Sequence, residues 1–172
     1  MNYKEKLSQI KAFVFDVDGV LGSDRVLLNP DGELLRTMNI KDGYSMVYAM
    51  RKGFRFAIIT GGTNDSIIKR FTSLGVQDIY LKSSNKMHDY LDFLAKYNLT
   101  DHDILYMGDD LPDLEVMQKV AIASCPSTAV DEIKEIAHYI SPIAGGEGAV
   151  RDVIQQVLKS QGRWLEPDAF KW

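Results

Sequence analysis

The sequence contains little of what marks a secreted or membrane protein. It has one cysteine, Cys125, so no disulfide can form within the chain, and a reducing compartment is the simplest interpretation. No apolar run approaches the roughly 20 residues that a membrane-spanning helix needs. The N-terminal segment also lacks the apolar core of a signal peptide. We therefore expect a cytoplasmic protein that does not bind membranes.

Positive charge is also scarce. The net charge is −4, and the lysines and arginines are scattered along the chain, which argues against nucleic acid as a partner. Of the 172 residues, 45% are hydrophobic and 26% are charged, a balance typical of a globular chain with a core large enough to fold alone. The connections between predicted elements are too short for a second domain, so we expect a single domain over residues 1–172.

Short apolar segments alternate with segments of helical periodicity, which is typical of parallel strands joined by crossover helices. The predicted strands are 12–17, 55–60, 78–81, 104–107, 120–124 and, more weakly, 138–140. The predicted helices are 44–52, 63–74, 86–97, 111–118, 128–137 and 148–160, with Asp42 as a candidate N-cap of the first. The fold class is therefore α/β, and we expect a Rossmann-like three-layer αβα sandwich around a central parallel sheet.

Two segments do not fit this alternation. Residues 25–39 have two extended halves around the turn signal Asn29-Pro30-Asp31-Gly32, which predicts a β-hairpin inserted after the first strand. The C-terminal tail, about residues 161–172, carries Trp164, Phe170 and Trp172 beyond the last helix. Aromatic side chains at a terminus usually dock onto another surface, so we expect the tail to be packed.

Acids, glycines and a lysine follow the predicted strands. In an open parallel sheet the ligand site lies outside the carboxyl ends of the strands. Four successive strands lead there to Asp16 and Asp18; to Thr60, Gly61 and Gly62; to Lys86; and to Asp109, Asp110 and Asp113. Carboxylates this close repel each other, and burying one without a partner is costly. The cluster therefore indicates a bound cation.

The residue types at this edge suit phosphoryl transfer. Oxygen ligands favour a hard ion, Mg²⁺ in particular, which commonly takes one or two carboxylates and an oxygen of a phosphorylated substrate. Thr60 and the glycine amides after it lie between a strand and a helix N-terminus, a position that favours anions. Lys86 can neutralise a phosphate, and an aspartate can attack phosphorus to form an acyl phosphate.

The segments FDVDGVL, IITGG and GDDLPD, with Lys86 between the last two, resemble the four ordered motifs of the haloacid dehalogenase superfamily of aspartate-nucleophile phosphatases. This resemblance implies that Asp16 is the nucleophile and a Mg²⁺ ligand. It implies that Asp18 is the general acid and base, with its backbone carbonyl on the metal. Asp109 would be the remaining protein ligand.

The same resemblance assigns supporting roles. Asp110 and Asp113 would orient the metal shell or Lys86. Thr60 and Gly61, together with Lys86, would bind the phosphoryl group that is transferred.

The chain lacks the large cap insertions of most superfamily members and has the hairpin instead. With NIKDGYSM and ISPIAGGEGAVRDVI, this pattern is similar to the small capless 3-deoxy-D-manno-octulosonate 8-phosphate phosphatases of lipopolysaccharide sugar synthesis. That resemblance implies a homotetramer in which a neighbouring subunit helps to close each site, and we expect the hairpin and the C-terminal tail to be the segments that take this part. A nine-carbon keto-sugar 9-phosphate of the sialic-acid type stays open as the alternative substrate.

Five further residues are candidates for binding the sugar: Lys41, Gly62, Arg70, Gly146 and Glu147. An arginine binds a carboxylate well with two parallel hydrogen bonds. Each position also has an ordinary structural interpretation, as a turn, a helix surface residue or part of a flexible loop.

Two other functions are compatible with part of this pattern. A phosphoacceptor signalling module also combines acids, a Thr or Ser and a Lys on a parallel sheet, but it lacks GDDxxD after a later strand. An acid two residues after the nucleophile also favours turnover over a stable phosphorylated state. A catalytically inactive subunit is disfavoured because every motif residue is present. We therefore expect a phosphoric monoester hydrolase that acts on a sugar phosphate.

Overall fold

The computed structural model describes residues 3–171, and this part of the chain contains eight strands. They are β1 (Ala12–Phe15), β2 (Leu27–Leu28), β3 (Leu34–Leu35), β4 (Arg55–Ile59), β5 (Asp78–Tyr80), β6 (Ile104–Met107), β7 (Ile122–Cys125) and β8 (Tyr139–Ile140). Six of them form one sheet in the order β5-β4-β1-β6-β7-β8, and every pairing in it is parallel. The predicted α/β fold with a central parallel sheet is confirmed.

Helices cover both faces of this sheet. The described residues form α1 (Tyr3–Leu7), α2 (Ile40–Arg51), α3 (Asp65–Ser73), α4 (Lys86–Tyr97), α5 (Leu114–Met117), α6 (Asp131–Ile136) and α7 (Ala149–Ser160). Successive side chains of a strand point to opposite faces. Phe13 and Phe15 of β1 therefore pack with α1, α2, α3 and α7, whereas Ala12 and Val14 pack with α4, α5 and α6. The result is the predicted three-layer sandwich.

Helix α2 begins at Ile40 and not at residue 44. Asn39 caps it, because its side chain accepts a hydrogen bond from the Lys41 amide at 2.8 Å. The prediction of Asp42 as the cap was wrong. Asp42 lies buried inside the first turn of α2 and accepts a hydrogen bond from the Arg151 amide of α7 at 2.7 Å. Its carboxylate therefore joins the two helices.

The predicted hairpin is present but short. Strands β2 and β3 pair antiparallel, with Leu27 opposite Leu35 and Leu28 opposite Leu34. The side chain of Asn29 accepts a hydrogen bond from the Glu33 amide and closes the turn. Leu27 and Leu28 are 69% and 70% exposed to solvent. Within residues 3–171, the connection from β1 to α2 contains this hairpin and no cap domain.

The tail packs against α2, as expected from its aromatic residues. The Trp164 ring lies edge-on to the Tyr48 ring, with centroids 5.6 Å apart, and Lys52 forms ion pairs with Glu166 and Asp168. Lys52 precedes β4, so the tail lies near the amino ends of the strands, the edge opposite the motif residues, and its described residues do not cover the site of their own chain. Trp172 lies outside the described residues. None of the helices in residues 3–171 is long and apolar enough to cross a lipid bilayer.

Candidate active site

The carboxyl end of β1 carries Asp16 into a tight turn. Asp16 is buried, and its Oδ1 accepts a hydrogen bond from the Val17 amide at 2.6 Å. The chain turns through Val17–Leu21, where Gly19 has φ +83°, and the Gly22 amide closes the turn with a hydrogen bond to the Val17 carbonyl at 2.8 Å. A Cβ at Gly19 would overlap the Asp109 carboxylate. Glycine is therefore required here both for the left-handed backbone and for the close approach of Asp109 to the turn.

A buried lysine links two of the acids. Lys86, at the first residue of α4, places its Nζ 2.9 Å from Asp16 Oδ2 and 2.6 Å from Asp113 Oδ1. Asp113 is fully buried and also accepts hydrogen bonds from the Tyr106 hydroxyl at 2.6 Å and the Asp109 amide at 3.0 Å. Both Asp113 oxygens are thus occupied by protein donors. Its role in the geometry is to hold Lys86 and the loop after β6.

The acids of the cluster outnumber the cations. Asp16, Asp109 and Asp113 each present a carboxylate oxygen, and these atoms lie within 4.8 Å of one another. Burial, followed by the charge of Asp113, raises the pKa of Asp16 to about 7, although Lys86 opposes the rise. Burial, followed by the charges of Asp16 and Asp113, raises the pKa of Asp109 to about 8. Three carboxylates with one ammonium group leave two negative charges, so this all-oxygen set fits a hard divalent cation.

The residues after β4 form the other wall of the site. Thr60 is buried, and its Oγ1 accepts a hydrogen bond from the Gly62 amide at 3.0 Å, which leaves the hydroxyl proton free to donate. A Cβ at Gly61 would meet no atom within 4 Å, so its backbone faces open space. An open cleft of about 470 Å³ joins this wall to the acids; among its lining residues are Asp16, Asp18, Thr60, Gly61, Lys86 and Asp109. The cleft can hold a phosphoryl group between Lys86 and Thr60.

Asp18 occupies the mouth of this cleft and is held by an arginine from the hairpin segment. Arg36 Nε lies 2.5 Å from Asp18 Oδ1, and Arg36 Nη2 lies 2.9 Å from Asp18 Oδ2. The hydrogen bonding to Asp18 raises the pKa of Arg36. A second cleft of about 610 Å³ lies between the hairpin and the start of α3 and shares Asp18, Gly61 and Gly62 with the first. The two clefts form a continuous opening toward solvent.

The structure gives the remaining predicted residues different surroundings. Gly62 lines both clefts. Asp110 is exposed, and its side chain caps the turn Leu111–Asp113 by accepting a hydrogen bond from the Leu111 amide at 2.8 Å. Lys41 is exposed at the start of α2. Arg70 lies beside α2, where its Nη2 would be 2.7 Å from a Cβ at Gly43. Neither Lys41 nor Arg70 lines the cleft that holds the acids.

The glycine-rich loop before α7 supports the turn after β1. Gly146 donates its amide hydrogen bond to the Val20 carbonyl at 2.8 Å. A Cβ at Gly145 would overlap the Gly19 carbonyl, and one at Gly146 would lie 2.6 Å from the Ser23 nitrogen. These two glycines therefore let the loop pack directly on the turn that carries Asp18. Glu147 is exposed and does not line the cleft.

Two residues in the site were not identified from the sequence. Arg36 lies in an irregular segment after β3, and no local pattern connects it with Asp18, from which it is separated by a hairpin. Tyr106 lies within β6, where an aromatic residue predicts core packing. Its hydroxyl group was the one feature that could have indicated a polar contact in the core, because a buried tyrosine usually finds a hydrogen-bond partner.

Comparisons with known proteins agree with this geometry. Residues 62–154 match the family model described as haloacid dehalogenase-like hydrolase. The chain is 35% identical over 158 residues to the 3-deoxy-D-manno-octulosonate 8-phosphate phosphatase of Escherichia coli strain K12, an alignment that covers 92% of this chain and 84% of that protein.

Solved structures show the same fold. The crystal structure of 3-deoxy-D-manno-octulosonate 8-phosphate phosphatase from Yersinia pestis superposes with a TM-score of 0.91 at 31% identity, covering 93% of this chain and 86% of that one. The Moraxella catarrhalis phosphatase of the same name, crystallised with a magnesium ion, a phosphate ion and the KDO molecule, gives a TM-score of 0.90 at 28% identity, covering 94% and 92%.

Proposed function

The chain belongs to the haloacid dehalogenase-like hydrolases, and we propose that it is a Mg²⁺-dependent phosphatase that hydrolyses 3-deoxy-D-manno-octulosonate 8-phosphate to the free keto-sugar acid and phosphate. The observation that carries this proposal is the constellation of the buried Asp16, Lys86 and Asp113 with the half-buried Asp109, beside Thr60 at one edge of the sheet. The substrate follows from the curated relative and from the ligands of the Moraxella catarrhalis structure.

The carboxylates of Asp16 and Asp109, with the backbone carbonyl of Asp18, would hold the metal ion. Asp113 is assigned to support, because Lys86, Tyr106 and backbone amides already occupy both of its oxygens. When bound, Mg²⁺ supplies positive charge that stabilises the negative charge on the transferring phosphoryl group.

The chain's own residues perform the transfer in two halves. Asp16 attacks phosphorus, the bond from phosphorus to the sugar oxygen breaks, and Asp18 donates a proton to that oxygen. A water molecule then attacks the aspartyl phosphate, Asp18 takes the proton of this water, and the bond between phosphorus and Asp16 breaks. Thr60 and the Gly61 amide bind the phosphoryl oxygens, and Lys86 offsets their charge.

We also propose a homotetramer in which neighbouring subunits help to wall each site. Its support is the exposed apolar surface of the hairpin, where Leu27, Leu28, Leu34 and Leu35 are 40–70% exposed, since such surface commonly marks an interface. A cytoplasmic location fits the free buried thiol of Cys125. The single-domain organisation over residues 1–172 stays a prediction.

The proposed function is tested with purified protein and a panel of sugar phosphates. Phosphate release is measured with the eight-carbon 8-phosphate, the nine-carbon 9-phosphate and a hexose 6-phosphate, with Mg²⁺ and with EDTA. We expect the highest kcat/KM for the eight-carbon substrate and no turnover in EDTA. A higher kcat/KM for the nine-carbon substrate would change the substrate and leave the reaction unchanged. Absence of turnover with every sugar phosphate would refute the proposal that the protein is a sugar-phosphate phosphatase.

A further inference from the structure

The contact between Arg36 and Asp18 uses the whole guanidinium group. Nε and Nη2 each donate to one carboxylate oxygen of Asp18, at 2.5 and 2.9 Å, and Nη1 donates to the Leu34 carbonyl at 3.0 Å. The planar fork of arginine matches a carboxylate in this geometry, which a lysine cannot reproduce. The contact therefore defines the orientation of the carboxylate as well as its distance.

The two partners differ in how firmly they are held. The Arg36 side chain is only 6% exposed, whereas that of Asp18 is 39% exposed. Arg36 is anchored at its far end by the Leu34 carbonyl, and its Nη2 passes beside Gly62, where a Cβ would lie 3.5 Å away, in ordinary contact. Arg36 is thus the fixed member of the pair. Asp18 stands on a turn at an open cleft, and no other side chain among the described residues hydrogen-bonds its carboxylate.

We propose that Arg36 is a positioning residue, which holds the Asp18 carboxylate in the orientation needed for proton transfer and so gives the inserted hairpin segment a part in the chemistry. This inference rests on the proposed function, in which Asp18 is the residue that donates and accepts the proton. The two-point contact fits the carboxylate form of Asp18. In the second half of the reaction this form accepts the proton of water, while the oxygen of water bonds to phosphorus and the bond to Asp16 breaks.

Two substrates with different leaving groups distinguish a positioning role of Arg36 from a role in binding substrate or the phosphoryl group. A sugar oxygen must receive a proton as it leaves, whereas p-nitrophenolate is stable enough to leave without one. The first half of the reaction with p-nitrophenyl phosphate therefore does not need Asp18, but the second half does. If the second half alone is slowed, the enzyme releases one equivalent of p-nitrophenol rapidly and then turns over slowly.

The experiment compares Arg36→Gln and Arg36→Lys with the wild type, with Asp18→Asn and with Asp31→Ala, a control at the exposed tip of the same hairpin. Steady-state kinetics use the eight-carbon sugar phosphate, and rapid-mixing measurements use p-nitrophenyl phosphate. Circular dichroism and the Mg²⁺-induced increase in Tm check that the fold and the metal site are intact.

We expect Arg36→Gln to lower kcat for the sugar phosphate by about 100-fold, the lower end of what general acid and base catalysis contributes, with KM nearly unchanged. Its first p-nitrophenol equivalent should appear at the wild-type rate, followed by slow turnover. Arg36→Lys should fall between Arg36→Gln and the wild type, because it keeps the charge but loses the fork. Asp31→Ala should match the wild type.

Three results would overturn the inference. Unchanged kcat in Arg36→Gln, with Asp18→Asn inactive, would show that the contact has no part in catalysis. A raised KM with unchanged kcat would make Arg36 a substrate-binding residue. A first p-nitrophenol equivalent slowed as much as the later ones would place the defect in the phosphoryl site. In contrast, near-wild-type turnover of Asp18→Asn would refute the proposed role of Asp18 itself, and the inference with it.

Discussion

The ammonium group of Lys86 lies 2.6 Å from the carboxylate of Asp113, and both side chains are buried. The same Nζ is 2.9 Å from the Asp16 oxygen on its other side. Asp113 therefore determines where the lysine charge stands relative to the residue that attacks phosphorus. This pair connects the loop after β6 with the end of β1, and its loss should affect both activity and stability.

Replacement of Asp113 by Asn should lower kcat by roughly 100-fold or more, the range seen when one preorganised electrostatic group is removed. The amide has the shape of the carboxylate, but its NH₂ group would face hydrogen-bond donors that now point at Asp113, such as Lys86, the Tyr106 hydroxyl or the Asp109 amide. We therefore also expect a loss of about 1–3 kcal/mol in the free energy of unfolding. Phosphate-release kinetics and denaturant unfolding measure the two effects. Asp92→Asn, at a surface carboxylate that accepts from the Tyr80 hydroxyl, is the matched control. Full activity in Asp113→Asn would contradict the support role.

Asp16→Asn should abolish turnover, because an amide does not attack phosphorus and is a poorer metal ligand. The substitution removes one of three crowded carboxylates, so the metal-free variant should unfold at a Tm no lower than that of the metal-free wild type. Phosphate release and thermal unfolding in EDTA are the two measurements. Hydrolysis near the wild-type rate would show that another residue is the nucleophile.

Mg²⁺ should be required for activity and should stabilise the folded protein. EDTA is expected to remove activity and Mg²⁺ to restore it. At 100 times its Kd, the ion should add about 2.7 kcal/mol to the free energy of unfolding. Asp109→Asn should lose most of this stabilisation because it removes a proposed ligand, whereas Asp131→Asn, on the exposed start of α6, should keep it. A fully active metal-free enzyme would refute the metal role.

Much of the fold and of the acid cluster was predictable because both depend on local patterns. Alternation of apolar strands with amphipathic helices predicted the sheet, and the parallel topology placed Asp16, Thr60, Lys86 and Asp109 at one edge. The start of α2 was misplaced because the cap is Asn39, which precedes a polar first turn. No local pattern could separate a cap from a carboxylate such as Asp42, whose partner is on α7.

The contacts that could not be predicted from the sequence join segments that are far apart in the chain, or involve residues in irregular segments. Arg36 reaches Asp18 across the hairpin, and the path of residues 25–39 is not determined by strand or helix periodicity. Arg70 was a candidate because a guanidinium group can bind a sugar carboxylate with two hydrogen bonds, but the structure places it beside Gly43 of α2. A charged residue on a helix carries no signal of which neighbouring element it will contact.

Asp42 should make stability depend on pH in an unusual direction. Burial is the main cause that raises its pKa from 3.8 to about 6 in the folded protein, and its Oδ2 is buried without a hydrogen-bond partner among the described residues. The folded state therefore binds this proton more tightly than the unfolded chain. The stability that Asp42 contributes is fully present below pH 3.8 and is lost as the pH rises through about 6.

Asp42→Asn removes this titration. The free energy of unfolding of the variant, relative to the wild type, should therefore rise between pH 4 and pH 7, by roughly 1–3 kcal/mol on the scale of 1.36 kcal/mol per pKa unit. Denaturant unfolding across that range measures the difference, with Asp131→Asn as the exposed control. A difference between variant and wild type that stays constant with pH would contradict the raised pKa.

The hairpin should hold the proposed tetramer together. An isolated two-stranded hairpin is marginal in water, yet this one exposes Leu27 at 69% and Leu28 at 70%, and burying a leucine side chain contributes about 1.5–3 kcal/mol. Sedimentation of the wild type should show a species about four times the monomer mass of 19.4 kDa. The double variant Leu27→Glu with Leu28→Glu should give smaller species.

The same double variant tests whether neighbours complete the site. If they do, the KM of the double variant for the sugar phosphate should rise several-fold. Hydrolysis of p-nitrophenyl phosphate should change little, because this substrate is too small to contact a neighbouring subunit. Leu91→Glu, which changes a leucine that is 54% exposed on α4, controls for the loss of a surface leucine and should remain tetrameric. A wild-type monomer with full kcat/KM would refute the shared site, because each subunit would then bind and turn over the sugar phosphate alone.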